Sequence, residues 1–171
     1  RSSIDALHAS RDFRLTALFG PEHGVRGDRF AGEKVDDSVD AKTGVPVYSL
    51  YGRTHAPTAE MLKDVDVLMY DIQDIGSRGY TFVWTMAKSM EAAKAHGKRF
   101  VVLDRPDPLG GLTVDGNVLH PNFSSMVGLH PVAYVYGMTP GELARYVNAE
   151  CGIGCDLTVV PMEGWKRGML Y

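Results

Sequence analysis

Three stretches of the sequence concentrate side chains that can move protons or hold a charged ligand. The first, Gly20-Pro21-Glu22-His23-Gly24-Val25-Arg26-Gly27-Asp28, places a carboxylate, an imidazole and a guanidinium in a turn whose glycines let a ligand approach the backbone closely. The second, Asp71-Ile72-Gln73-Asp74-Ile75-Gly76-Ser77-Arg78-Gly79-Tyr80, supplies two acids, an amide, a guanidinium and a phenol. The third, Asp104-Arg105-Pro106-Asp107-Pro108-Leu109-Gly110-Gly111, sets an acid and a base among residues that constrain the backbone. Carboxylates with Arg, Gln, Tyr and His donors suit glycoside cleavage by paired acids, or a hard metal ion held by Asp and Glu. Each acid taken alone also has a structural reading. It can be a helix N-cap, an Asx turn in the case of Asp107 before Pro108, or an ion pair in the case of Asp104 beside Arg105. The repetition in three places is what favours function. Other chemistries lack a motif: there is no Gly-x-Ser-x-Gly elbow, no phosphate-binding Gly-x-x-x-x-Gly-Lys-Ser/Thr loop and no dinucleotide fingerprint after the first strand. No cofactor is called for.

The elements that must position these residues follow from hydrophobic periodicity. Short apolar runs at 15–19, 45–51, 65–71, 99–104 and 157–161 read as strands, most of them nearly continuous in apolar residues, as in a parallel sheet covered on both faces. Between them, 81–96 carries Phe82, Val83, Met86, Ala87, Met90 and Ala93 on one helical face, with Thr81 as N-cap and Gly97 closing the end. Thr139-Pro140-Gly141-Glu142 is a capping box that opens a helix burying Leu143, Ala144 and Val147. Shorter helices are predicted at 3–8 and from Thr58. Strands alternating with helices predict an α/β, Rossmann-like three-layer sandwich with an open, mostly parallel sheet. In such sheets ligands bind beyond the carboxyl ends of the strands, where all three stretches fall.

Composition agrees with one ordinary globular domain. The 171 residues are 44% apolar, 9% aromatic and 23% charged. A chain of this size buries roughly 70% of its surface on folding, so neither disulfides nor a structural metal are required. Eighteen Lys and Arg against 21 Asp and Glu give a net charge of −3 with no block of like charge, which argues against nucleic acid and anionic membranes as partners. No apolar run is long enough to span a bilayer, and no signal peptide is visible. Cys151 and Cys155 read as two ordinary thiols at a helix end, or a local disulfide if the protein is exported.

Five runs make the sequence resemble a known family: Phe19-Gly20-Pro21-Glu22-His23-Gly24-Val25-Arg26-Gly27, Thr43-Gly44-Val45-Pro46-Val47-Tyr48-Ser49-Leu50-Tyr51-Gly52, Asp71-Ile72-Gln73-Asp74-Ile75-Gly76, Leu103-Asp104-Arg105-Pro106 and Gly137-Met138-Thr139. It is similar to the NamZ-type exo-β-N-acetylmuramidases, glycoside hydrolase family 171, formerly a domain of unknown function. The resemblance extends from Ser3 to Trp165. It implies removal of terminal N-acetylmuramic acid from the non-reducing ends of peptidoglycan fragments, in cell wall recycling by a bacterium. It also implies an extracellular or periplasmic setting and muropeptides as partners. Set against the family's usual extent, residues 1–171 are expected to form a Rossmann-like catalytic domain lacking a first strand and the smaller C-terminal domain.

Carried over position by position, the resemblance points to Glu22 as catalytic carboxylate with His23 beside it, and to Asp71 and Asp74 as further catalytic candidates. Gln73, Arg78, Tyr80, Asp104, Arg105, Asp115 and Tyr136 are substrate-binding candidates. Arg26, Arg78 or Arg105 could clamp the lactyl carboxylate that distinguishes muramic acid from glucosamine. Three positions depart from the family's habit: Gly79 where an aromatic residue is usual, Asp115 where Glu is frequent, and Tyr136 where His is common.

The mechanism this predicts uses Glu22 as general acid, its pKa raised by partial burial, and a second acid from Asp71, Asp74, Asp104 or Asp115 on the anomeric side. Two rivals are a metal-dependent hydrolase with Glu22, His23, Asp71 and Asp74 as ligands, and a glycan-binding module without catalysis.

Overall fold

The structure, a computed structural model, describes residues 2–27 and 36–170; Asp28, the last residue of the first acidic stretch, lies outside them. The fold is the α/β, mostly parallel, Rossmann-like kind that the alternation of elements predicts. Among the described residues, three of the four strand pairings are parallel. The chain divides into two compact units, Arg1–Asp66 and Val67–Tyr171.

The first unit opens with α1 (Ser3–His8), where the Ser2 hydroxyl accepts from the Asp5 amide and Asp5 stands in the first turn. Strand β1 (Leu18–Gly20) pairs in parallel with β3 (Pro46–Ser49), and β2 (Ser38–Val39) pairs antiparallel with β3. Leu18, Val45 and Val47 form the core, with Ile4, Leu15 and Val25 packed on it. The β1 ladder is shorter than the apolar run because Ala17 would stand level with Pro46, which has no N–H to contribute. β2 is too short for any pattern to announce. The helix predicted from Thr58 does not form. Residues 58–65 are a stack of turns closed mostly by i→i+3 bonds, with Leu62 as their buried anchor.

The second unit has the parallel sheet β4 (Val67–Tyr70), β5 (Arg99–Leu103) and β6 (Asp156–Val160), in that order across the sheet. Helix α2 (Phe82–Ala95) crosses from β4 to β5, and α3 (Pro140–Ala149) precedes β6. The strands alternate in burial instead of being covered on both faces: Leu68 and Tyr70 are buried while Val67 and Met69 are exposed. α2 departs from the one-faced reading in the other direction. Trp84, Thr85 and Ser89 are buried along with Val83, Met86, Ala87, Met90 and Ala93, whereas Phe82 is only half-buried. Thr81 stands at the N-cap in helical geometry, and its side chain makes no capping bond; the Trp84 and Thr85 amides bond its carbonyl. The far end is a Schellman turn, with the Gly97 amide on the Lys94 carbonyl, the Lys98 amide on that of Ala93, and Gly97 at φ 62°.

The capping box of α3 forms as predicted, with the Thr139 hydroxyl accepting from the Glu142 amide (3.2 Å) and the Glu142 carboxylate from the Thr139 amide (3.0 Å). Leu143, Ala144 and Val147 are fully buried. Cys151 and Cys155 are free thiols, the second buried and its backbone bracketed by the Asn148 amide. Among the described residues no helix is long and apolar enough to cross a membrane.

Candidate active site

In the first unit, the parallel register sets Gly20 level with Ser49, so Glu22 and Tyr51 leave the sheet at the same edge. Tyr51 stands within electrostatic reach of Glu22; burial, and then the negative charge of Glu22, push the phenol's pKa up. Nothing in the sequence pattern singled out Tyr51. The parallel pairing of two strands would have found it. The turn after β1 is closed by the Gly24 amide on the Pro21 carbonyl (3.0 Å), and His23 stands in it at φ 73°. His23 is the one non-glycine residue at positive φ among the described residues, a strain of about 1–3 kcal/mol of the kind that gathers where a side chain must be aimed.

Arg26 does not present its guanidinium as a ligand clamp. Nε and Nη2 fork onto Asp40 (2.9 and 2.8 Å), and Nη1 donates to Asp5 (3.0 Å) and to the Ser2 hydroxyl (3.3 Å). These bonds tie α1, the turn after β1 and the β2–β3 hairpin together. They also hold Asp40 well below the usual carboxylate range, with help from Thr43; Asp5, under Lys42 and Arg26, falls to about 2.

In the second unit the carboxyl ends of β4, β5 and β6 surround an open cavity of about 400 Å³. Asp71, Asp104 and Arg105 line it, together with Met162, Glu163 and Trp165 from the loop after β6. Arg105 places two donors on one oxygen of Asp71, Nε at 2.7 Å and Nη2 at 2.5 Å. The expected ion pair of Asp104 with its neighbour Arg105 is therefore replaced by a pair between adjacent strand ends. Asp104 instead accepts from the Gly141 amide (2.7 Å), the Thr139 hydroxyl (2.9 Å) and the Arg105 amide (3.0 Å). It joins the end of β5 to the start of α3, and it requires glycine at 141: a Cβ there would stand 2.7 Å from the Asp104 carboxyl carbon and 2.6 Å from Val159.

Asp74 lies inside the unit, 2% exposed, accepting from the Gly76 amide (2.8 Å) and from the Tyr136 hydroxyl. Asp107, also 2% exposed, approaches from the other side of Gly76, where a Cβ would overlap its Oδ1. Burial raises the pKa of both acids and of Tyr136. Asp74 and Tyr136 are thus buried partners in the interior of the second unit. Gln73 donates to the carbonyls of Asp74 (2.7 Å) and Pro106 (2.8 Å), bracing the loops after β4 and β5.

Arg78 is buried and donates to the carbonyls of Asn117 and Val132 (both 2.8 Å), with its guanidinium 5.6 Å from the ring centre of Tyr134. It anchors the irregular segment before α3. Asp115 is exposed, bridged to Val135 and accepting from the Gly116 amide. Tyr80 is exposed, its amide bonded to the Ser77 carbonyl. At Gly79 the Tyr134 hydroxyl lies 3.3 Å from where a Cβ would be. Among the described residues no three His, Cys, Asp or Glu side chains are grouped so as to hold a metal ion.

Residues 1–171 match the family described as exo-beta-N-acetylmuramidase NamZ, N-terminal. The chain is 59% identical over 169 residues to the peptidoglycan beta-N-acetylmuramidase NamZ of Bacillus subtilis (strain 168), covering 99% of this chain and 41% of that protein. It is similar along its whole length to two crystal structures of DUF1343 family proteins from Bacteroides fragilis. One has a TM-score of 0.92 with 53% identity over 43% of its own chain, the other 0.85 with 37% identity over 45%. The chain spans less than half the length of these relatives.

Proposed function

The chain belongs to the family of the exo-beta-N-acetylmuramidase NamZ N-terminal domain, and from that premise we propose that it serves a glycosidase removing terminal N-acetylmuramic acid from the non-reducing ends of peptidoglycan fragments. Family membership along all of its residues is the observation that carries this reading. Each unit, taken by itself, offers one carboxylate for the chemistry. Glu22, close to Tyr51 and presented on a strained turn with His23, is the proton donor to the leaving oxygen. Asp71 is the second carboxylate, because of the four acids considered it is the one that both lines an open cavity and faces a guanidinium. Asp74 is buried, Asp104 is committed to α3, and Asp115 lies on an exposed bridge. This chemistry needs no cofactor. The reading extends to an extracellular or periplasmic setting, where a substrate of cell wall origin is met.

The test is Glu22→Gln assayed on a chromogenic N-acetylmuramide. A general acid contributes about 10²–10⁴ in rate, so kcat/KM falls by that factor while the fold is retained. Full activity in the variant removes Glu22 from the role.

A further inference from the structure

The loop after β6 contains none of the three acidic stretches, yet it supplies Met162, Glu163 and Trp165 to the cavity that Asp71 and Arg105 line. Trp165 is half-buried there, and its indole N–H is enclosed without a hydrogen-bond partner among the described residues. A buried indole N–H ordinarily finds an acceptor in the protein. The ring is not pinned by such a bond. Gly164, beside it, stands at φ 80° with nothing within 4 Å of where a side chain would be. Across the same cavity, Arg105 is 43% exposed and uses only Nε and Nη2 on Asp71, leaving the two N–H groups of Nη1 without an acceptor among the described residues.

We propose that Trp165 and Arg105 form the subsite that selects an acidic acetamido sugar, the indole receiving the apolar face of the pyranose and the guanidinium its carboxylate. A flat apolar surface beside a cation with unused donors matches a ring that is apolar on one face and carries a carboxylate at its edge. The cavity, about 400 Å³, is of the size class that holds one such sugar. The assignment rests on the glycosidase reading for its choice of sugar and adds the residue that recognises it.

Tryptophan emission tests it directly, because the other tryptophan, Trp84, is fully buried and already bonded to the Arg78 carbonyl (2.8 Å). With N-acetylmuramic acid as probe, the wild-type protein shows a saturable change in emission and Trp165→Phe, keeping Trp84, shows none. N-acetylglucosamine, which lacks the lactyl carboxylate, binds at least about tenfold more weakly, and Arg105→Gln abolishes that preference. In the muramide assay Trp165→Ala raises KM about tenfold or more and moves kcat little, and Trp165→Phe recovers most of the loss by restoring a ring. An unchanged KM in Trp165→Ala, no saturable change in the wild type, or the same change in Trp165→Phe overturns the proposal. Binding at Trp165 without cleavage defeats the glycosidase reading and leaves the subsite standing. Cleavage with KM unmoved by Trp165→Ala does the opposite.

Discussion

Asp104 separates a structural acid from a substrate contact, and replacing it decides between them. Its carboxylate accepts three bonds, from the Gly141 amide at 2.7 Å, the Thr139 hydroxyl at 2.9 Å and the Arg105 amide at 3.0 Å. A hydrogen bond to a charged group contributes roughly 1.5–3 kcal/mol. The open cavity beside Asp104 admits water that replaces part of what is lost, so Asp104→Ala costs about 3 kcal/mol rather than the full sum. Asp104→Asn keeps an oxygen for the two amides and loses only the charge at the start of α3 and the Thr139 contact, about 1 kcal/mol. Gly141→Ala attacks the same junction from the helix side. Its Cβ would lie 2.6–2.8 Å from Val159 and Asp104, an overpacking of about 1–3 kcal/mol that better helix propensity offsets only in part. Urea unfolding followed by circular dichroism measures all three, with kcat/KM on the muramide read in parallel. If the acid is structural, Asp104→Ala is more destabilising than Asp104→Asn, and activity follows stability. Stability of Asp104→Ala within about 0.5 kcal/mol of wild type, together with a hundredfold fall in kcat/KM, would refute it and return Asp104 to the substrate.

The remaining expectations concern charge and backbone. Because burial raises Asp74 and Asp107 above their unfolded pKa of about 3.8, the folded state holds protons the unfolded chain releases. Stability therefore declines as pH rises from about 4 through the folded values, by about 1.4 kcal/mol per pH unit for each proton held. Asp107→Asn, which mimics the protonated acid, should flatten that decline in urea midpoints, and an unaltered slope would count against it. Asp5 and Asp40 have the opposite sign: their lowered pKa values contribute stability above about 4 that is lost as pH falls toward about 2. Arg26→Ala removes the partner that lowers both acids, so it should reduce hydrogen-exchange protection at Thr43 to Val45 near neutral pH and flatten its further loss on acidification; identical protection profiles would contradict it. Gly76→Ala combines a residue at φ 80° with a Cβ that would overlap Asp107 Oδ1, and should lower the melting temperature by roughly 6–12 °C for a cost of about 3 kcal/mol. A change of under one degree would show that Asp107 moves freely.

Much of this architecture was legible residue by residue. The Thr139–Glu142 box and the Gly97 end of α2 are recognisable because capping is an interaction of near neighbours, encoded within a few positions. The acids at strand ends were equally readable, since an apolar run interrupted by Asp and Gly marks both the end of the strand and the edge on which ligands gather. The turns at 58–65 show the limit of local pattern, where a helical start was not continued by enough stabilising packing.

Residue types and local pattern established which chemistry was on hand: carboxylates, guanidinia and glycines at the ends of strands, and a family signature around them. Which carboxylate each donor would serve was settled by the assembled fold. Arg105 bonds Asp71, 34 positions away, not Asp104 beside it; Arg26 bonds Asp40; Tyr136 bonds Asp74 across 62 positions. A guanidinium fits any carboxylate equally well, so its partner is chosen by the parallel register and the packing that bring one oxygen within reach, and those are properties of the assembled sheet and not of neighbouring letters. Trp165 entered the cavity for the same reason, delivered by the third strand of that sheet.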